Sequence, residues 1–120
     1  MKLYQALSVV EPAGDDIRSR KKSLEVRKWT PDLLPLRDLL IIQNRERLSS
    51  TGTQEDPNGT AVALVDVVAV REWKEEDLEA SCTKAWESGW WAWELVNVRP
   101  FDRPGFLPAK RRIYTVALSS

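Results

Sequence analysis

Histidine is absent from all 120 residues. With it go the Ser–His and Cys–His nucleophile pairs, the two-histidine zinc motifs, and imidazole as a general base. A single cysteine, Cys82, excludes an internal disulfide and any cysteine-clustered zinc or iron–sulfur centre, so neither a metal nor a cofactor is expected. One thiol fits a reducing compartment. No apolar run approaches the ~18–20 residues that span a bilayer. The opening MKLYQALSVVEPAGDD turns acidic at once and lacks a small-residue cleavage site, so it does not read as a signal peptide. These absences predict a soluble, cytoplasmic chain with no membrane partner. Net charge is missing too: eighteen Lys and Arg balance eighteen Asp and Glu. Any electrostatic function must therefore come from local segregation of charge.

What is present is ordinary globular composition, 42% hydrophobic and 30% charged, enough for one packed domain over residues 1–120. Leu3 to Val10 is apolar and reads as a strand ending at Glu11-Pro12. Pro12 to Arg20 places Asp15 and Asp16 early and basic residues late, the order a helix dipole favours, and predicts a short helix. Ser23 to Trp29 alternates like a second strand, with Leu24 and Val26 on one face and Glu25, Arg27 and Trp29 on the other. Two prolines in Thr30 to Arg37 allow at most a turn of helix. Asp38 to Arg47 suggests a strand leaving the core, and polar residues 48–59 a mobile loop. Thr60 to Val70 reads as a buried strand in which Asp66, the lone ionisable residue, needs a partner. Glu72 to Trp86 reads as helical, and Trp90 to Val98 and Arg111 to Leu118 as the last strands. Pro100, Pro104 and Pro108 predict a turn-rich crossing between those two. The fold class expected is α+β, mainly β: a small barrel of five to six strands with two or three short helices, closed because closure removes exposed edges.

The most charged stretch is RSRKKSLEVRK. Arg18, Arg20, Lys21, Lys22, Arg27 and Lys28 face one anion, Glu25, giving a net charge of +5 in eleven residues. A carboxylate, a guanidinium and an indole about 6.7 Å apart along one strand face form a ridge suited to a phosphate, a polar edge and a stacked base. Pattern alone favours a solvated charged face with a local Glu25–Arg27 ion pair over that ridge. Of the six tryptophans, Trp90, Trp91 and Trp93 straddle both faces of one strand, so at least one is expected to face solvent or a cleft. Trp91 and Trp93 share a face with Leu95 and read as core, whereas Trp29 shares parity with Glu25 and Arg27 and is the candidate for base stacking. The run Lys110-Arg111-Arg112 either extends a basic groove or guards a strand end. Ser8, near the end of the first strand, is one candidate for lining a cleft, and the pattern leaves its role open. Cys82 has no base nearby in the sequence and reads as inert.

The stretch Arg20 to Arg27, R-K-K-S-L-E-V-R, resembles the ASCH signature G-x-K-x-x-E-x-R, with Lys22, Glu25 and Arg27 on its lysine, glutamate and arginine and Arg20 in place of its glycine. ALSVVEP, GTAVALVDVVAV and WWAWELVNVRPFDRPGFLPAK resemble the family's opening strand, central strand and aromatic strand with its proline-rich tail, in the same order. The resemblance implies a PUA-like barrel whose cleft is lined by the lysine, glutamate and arginine, and partners that are RNA, single-stranded nucleic acid or a modified nucleoside. Lys22 and Arg27 would contact phosphate or carbonyl groups, Glu25 would accept from a base edge or hold the two cations, and Arg18 and Lys21 would be outer contacts.

The same resemblance carries an alternative. One branch of the family hydrolyses the amide of N4-acetylcytidine, and ribonuclease activity is assigned to some members, in which case Lys22 and Glu25 would be catalytic. Lysine acting as a base near neutrality must shift by about 3 pKa units, about 4 kcal/mol. The amidohydrolase branch has threonine where this chain has Glu25, and takes a glutamate from the region of Glu72, Glu75 and Glu76. Glu25 among cations is a weak base. Binding is thus the preferred reading, hydrolysis the alternative, and a protein-interaction module without nucleic acid a third.

Overall fold

The computed structural model describes residues 2–118. Apolar Lys2–Val10 forms strand β1, and Pro12 turns the chain into helix α1, Ala13–Arg18, which carries Asp15 and Asp16 in its first turn and Arg18 in its last. Strands β2 (Leu24–Arg27) and β3 (Leu36–Asn44) follow, then the long β4 (Glu55–Glu72), a 3-10 turn at Glu75–Asp77 that runs into helix α2 (Leu78–Ser81), β5 (Trp91–Lys110) and β6 (Ile113–Leu118). They form one six-stranded sheet in the order β2-β5-β4-β3-β1-β6, in which β1 and β3 are parallel and the other pairs antiparallel. The mainly-β architecture is as expected. The closed barrel is not: β2 and β6 are the two edges, and no backbone ladder joins them among the described residues.

The sheet nevertheless rolls toward closure. Leu39 and Ile41 bury into one core with Leu7, Ile17 and Trp93, while their neighbours Leu40 and Ile42 bury into another with Ala6, Ala61 and Val116. A strand covered on both faces reads as an uninterrupted apolar run, which is why LLII shows no alternation. The second face is covered because β4 and β5 form one bent antiparallel pair, from Glu72↔Trp91 to Glu55↔Lys110, interrupted by four register shifts. That bend returns the end of β5 to β1, where the Lys110 amide donates to Ser8 Oγ at 3.1 Å.

Three local readings give way to this pairing. Residues 48–59 divide, with Glu55–Gly59 joining β4. The proline-rich stretch is no turn-rich crossing but part of β5; the ladder passes from Ala63↔Pro100 to Ala61↔Gly105, so residues 101–104 lie outside the regular register. The helix expected over Glu72 to Trp86 stops at Ser81. Ser81 Oγ bonds back to the Asp77 carbonyl at 2.8 Å, Cys82 is left-handed (φ 56°), and Trp86 Nε1 donates to the Trp73 carbonyl at 3.0 Å, drawing the following residues back over the strand end.

Asp66 has the partners its burial demands. Its carboxylate accepts from the Asp38 amide (3.0 Å), Asn97 Nδ2 (3.1 Å), Arg37 (3.3 Å) and Arg99 (2.8 Å). Asp38 and Asn97 are both left-handed, φ 55° and 52°, and lie at register shifts in the strands flanking β4. One carboxylate thus fastens two bulges. Burial raises its pKa, but the Asp38 and Asn97 amides, Arg37 and Arg99 more than offset this and lower it to about 2 from 3.8. A depressed carboxyl stabilises the fold above its unfolded pKa and loses that contribution as pH falls through the folded one. Asp66→Asn should therefore cost about 2 kcal/mol at pH 6. Urea midpoints measured downward from there should show the variant missing the part of the wild-type loss that falls between 3.8 and about 2. Equal midpoints at pH 6 would contradict this role.

Candidate functional site

The seam left by the unclosed sheet is a cleft of about 610 Å³. Its floor begins with the turn between α1 and β2. Arg20 is left-handed (φ 70°), the conformation glycine adopts without cost, and this is the position where the ASCH signature has glycine. Its guanidinium donates to the Val98 carbonyl at 2.9 Å, tying the turn to β5. The Lys22 amide bonds to the Asp16 carbonyl at 2.9 Å and the Ser23 amide to the Ala80 carbonyl at 2.9 Å, so both helices hold the chain as it enters β2. Lys22 is buried there, its Nζ donating to the Ser81 carbonyl at 2.6 Å and lying 3.4 Å from Glu25 Oε1.

Glu25 is the centre of the charge arrangement. Its side chain is 8% exposed, and Arg27 grips its other oxygen with Nε at 2.9 Å and Nη2 at 2.7 Å. Burial raises the carboxyl pKa, but the charges and hydrogen bonds of Arg27 and Lys22 overcome it and hold the group below its ordinary value. Arg27 Nη2 also donates to the Ser8 carbonyl at 2.7 Å, so β2 and β1 are joined across the seam by a side chain where no ladder joins them. Ser8 Oγ, besides accepting from Lys110, lies 2.8 Å from the Tyr114 hydroxyl. A second bridge crosses the seam where the Arg112 guanidinium stacks 4.2 Å from the Trp29 ring, which itself stands edge-on to Trp93 at 4.9 Å.

Of the residues singled out in the sequence, Lys22, Glu25, Arg27, Trp29 and Ser8 line this cleft together, and Lys110, Arg111 and Arg112 join them. Arg18 and Lys21 do not line it: Arg18 donates to the Phe101 carbonyl at 2.7 Å, and Lys21 is exposed. Glu72, Glu75 and Glu76 are exposed and outside the lining as well. Val26, expected on the opposite face from Glu25, also reaches the cleft, in the half-buried second half of the four-residue strand β2. Trp93 is buried as expected, but Trp91 is 36% exposed, because it begins β5 where the cover of the core stops. Cys82 is half-buried with its thiol 3.6 Å from the Lys21 carbonyl. Sequence reading missed Arg47, Trp73 and Glu87, which reach the cleft from segments remote in the chain, whereas Trp90 is the member of the Trp90, Trp91 and Trp93 group that faces it. No cluster of His, Cys, Asp and Glu fit to hold a metal occurs among the described residues, and no helix there is long and apolar enough to cross a membrane.

The lining carries six cations, Lys22, Arg27, Arg47, Lys110, Arg111 and Arg112, against the two carboxylates Glu25 and Glu87. A chain of zero net charge has gathered positive charge around one opening. Removing the carboxylate at its base leaves Lys22 charged, buried and short of a partner. Glu25→Gln is expected to cost about 3 kcal/mol in urea unfolding at neutral pH, and adding Lys22→Met to recover part of that loss, because the uncompensated charge goes with it. A single variant as stable as wild type would show that the ion triad does not support the fold.

Comparison with known proteins agrees with this architecture. The ASCH domain profile matches residues 7–105. An ASCH protein of Zymomonas mobilis superposes with a TM-score of 0.56 at 18% identity, over 84% of this chain and 71% of that one. A point variant of the Zymomonas mobilis protein gives 0.52 at 18% identity, over 87% and 76%. Among curated proteins, none matches the chain.

Proposed function

This chain belongs to the ASCH domain family, and from that premise we propose that its seam cleft binds RNA, or a ligand containing a nucleoside, as a recognition module. The observation that carries the reading is the gathering of six cations and the indoles Trp29, Trp73 and Trp90 around one opening of an otherwise neutral chain. Single-stranded RNA is held by this combination of backbone neutralisation and stacking. Within it the signature residues divide their work. Lys22 is buried with its ammonium committed to Ser81 and Glu25, so it anchors the carboxylate. Arg27 is the ligand-facing member: its side chain is 23% exposed, and its Nη1 makes no hydrogen bond among the described residues.

The hydrolase reading draws less support from the same geometry. A base needs affinity for a proton, and Glu25 is held below its ordinary value by two cations. An ammonium with two acceptors in place stabilises charge and has no free lone pair. The acids at and just beyond the end of β4 that would supply a second carboxylate, Glu72, Glu75 and Glu76, lie outside the lining.

Gel shift of a short labelled RNA tests the proposal. Wild type should retard an intact band, and three phosphate contacts on a single strand give a log–log salt slope near −2, or roughly a 20-fold loss of affinity between 50 and 200 mM. Arg27→Ala should bind several-fold more weakly with a shallower slope, by about 0.7. It should also unfold at lower urea because Glu25 keeps only one cation, so binding is compared under conditions where its circular dichroism shows it folded. Shortened fragments produced only by wild type would put hydrolysis first. An unshifted, uncut band would remove polymeric RNA as the ligand.

A further inference from the structure

The charges in the cleft are not spread evenly. The loop between β3 and β4 brings Arg47, and the two-residue turn between β5 and β6 brings Arg111 and Arg112. These segments share one corner of the sheet, because Glu55, the first residue after that loop, pairs in register with Lys110, the last before that turn. Among the described residues, no carboxylate lies within 4.0 Å of Arg47, Arg111 or Arg112; Lys110 alone has a distant one, Glu55 at 3.9 Å. The opposite end is indole. Trp73 and Trp90 are joined there by a backbone hydrogen bond of 3.0 Å, and Trp73 Nε1 is 3.3 Å from Ser81 Oγ, the residue whose carbonyl holds Lys22. Glu87, the second lining carboxylate, follows Trp86, which bonds to the Trp73 carbonyl. The cleft thus runs from an aromatic end, past Glu25 and Arg27, to a cationic end with no acid among the described residues of its lining.

The turn itself is held in a costly shape. Arg112 adopts φ 60°, where a non-glycine side chain is strained, and its guanidinium rests on Trp29 instead of on a carboxylate. A turn that favours glycine carries arginine, next to a second arginine, at the mouth of the cleft.

The geometry points to a phosphate subsite formed by Arg47, Lys110, Arg111 and Arg112, so that the cleft takes a phosphorylated nucleoside unit with its base toward Trp73 and Trp90. This rests on the nucleoside-binding reading and narrows it: the ligand is a nucleotide, free or as a unit of an RNA, and not an uncharged nucleoside. Planar guanidiniums match phosphate oxygens in pairs, and a site without competing carboxylates leaves them free to do so.

Isothermal titration of the full chain with the four ribonucleosides, their 5′-monophosphates and a six-nucleotide RNA separates the possibilities. The variant is Arg111→Ala with Arg112→Gly, since glycine accepts the left-handed backbone and both side chains are exposed. At low salt at least one monophosphate should bind about tenfold more tightly than its nucleoside, and the variant should reduce that advantage to within about twofold. Should the hexamer bind while the monophosphates do not, the variant must flatten the hexamer's salt slope by about 1.4, the value for two lost phosphate contacts. Nucleosides binding as tightly as monophosphates would overturn the phosphate subsite and leave the cleft reading standing. So would an advantage, or a salt slope, that survives in the variant. Absence of binding by every ligand would overturn both.

Discussion

Glu25 is a carboxylate taken out of water, and the site depends on how that cost is met. An isolated buried carboxylate would protonate, but here Lys22 and Arg27 approach its two oxygens from either side. Each cation is itself tied to backbone: Lys22 to the Ser81 carbonyl at the end of α2, Arg27 to the Ser8 carbonyl on β1. The triad therefore joins the short edge strand β2 to a helix on one side and to the other side of the seam on the other. An unclosed sheet of six strands keeps its opening at a fixed width through side chains, and the opening becomes the cleft.

How far this was legible in the sequence depends on whether the signal was local. Alternation in Ser23 to Trp29 placed Glu25, Arg27 and Trp29 on one face, and all three line the cleft. The apolar run in β1 and the lone acid at Asp66 were equally readable, because burial of strands and pairing of buried charge are local demands. Arg47 gave no signal, since only the return of the bent β4–β5 pair brings its segment to the signature strand. The same bend explains the misreadings. Local cues in 48–59 and in the proline-rich stretch say loop, yet Glu55–Gly59 and residues 107–110 meet as partners in one ladder, and pairing overrides the cues. Closure was the expectation for a small sheet, but edge β2 is guarded instead by charge and by the side chains that cross the seam.

Outside the Glu25 triad, paired charges and charges without acidic partners fall in different parts of this molecule. Asp66 with Arg37, Asn97 and Arg99 fastens two bulges. Arg71 with Asp77 and Glu94 fastens the turn after β4 to β5. Around the cleft mouth the balance changes, and Arg47, Arg111 and Arg112 stand without acidic partners among the described residues. A balanced overall charge is thus compatible with a local positive field that attracts an anionic ligand.

The measurement that bears most directly on the central claim is a titration of isotope-labelled protein with a short single-stranded RNA, followed by amide and indole resonances. The account predicts shifts concentrated at Arg27, Trp29, Trp90 and Lys110 to Arg112, with the indole signal of Trp90 among the first to move. Shifts confined to the α1 side, at Arg18 and Lys21, or no shift at any residue lining the seam, would contradict it.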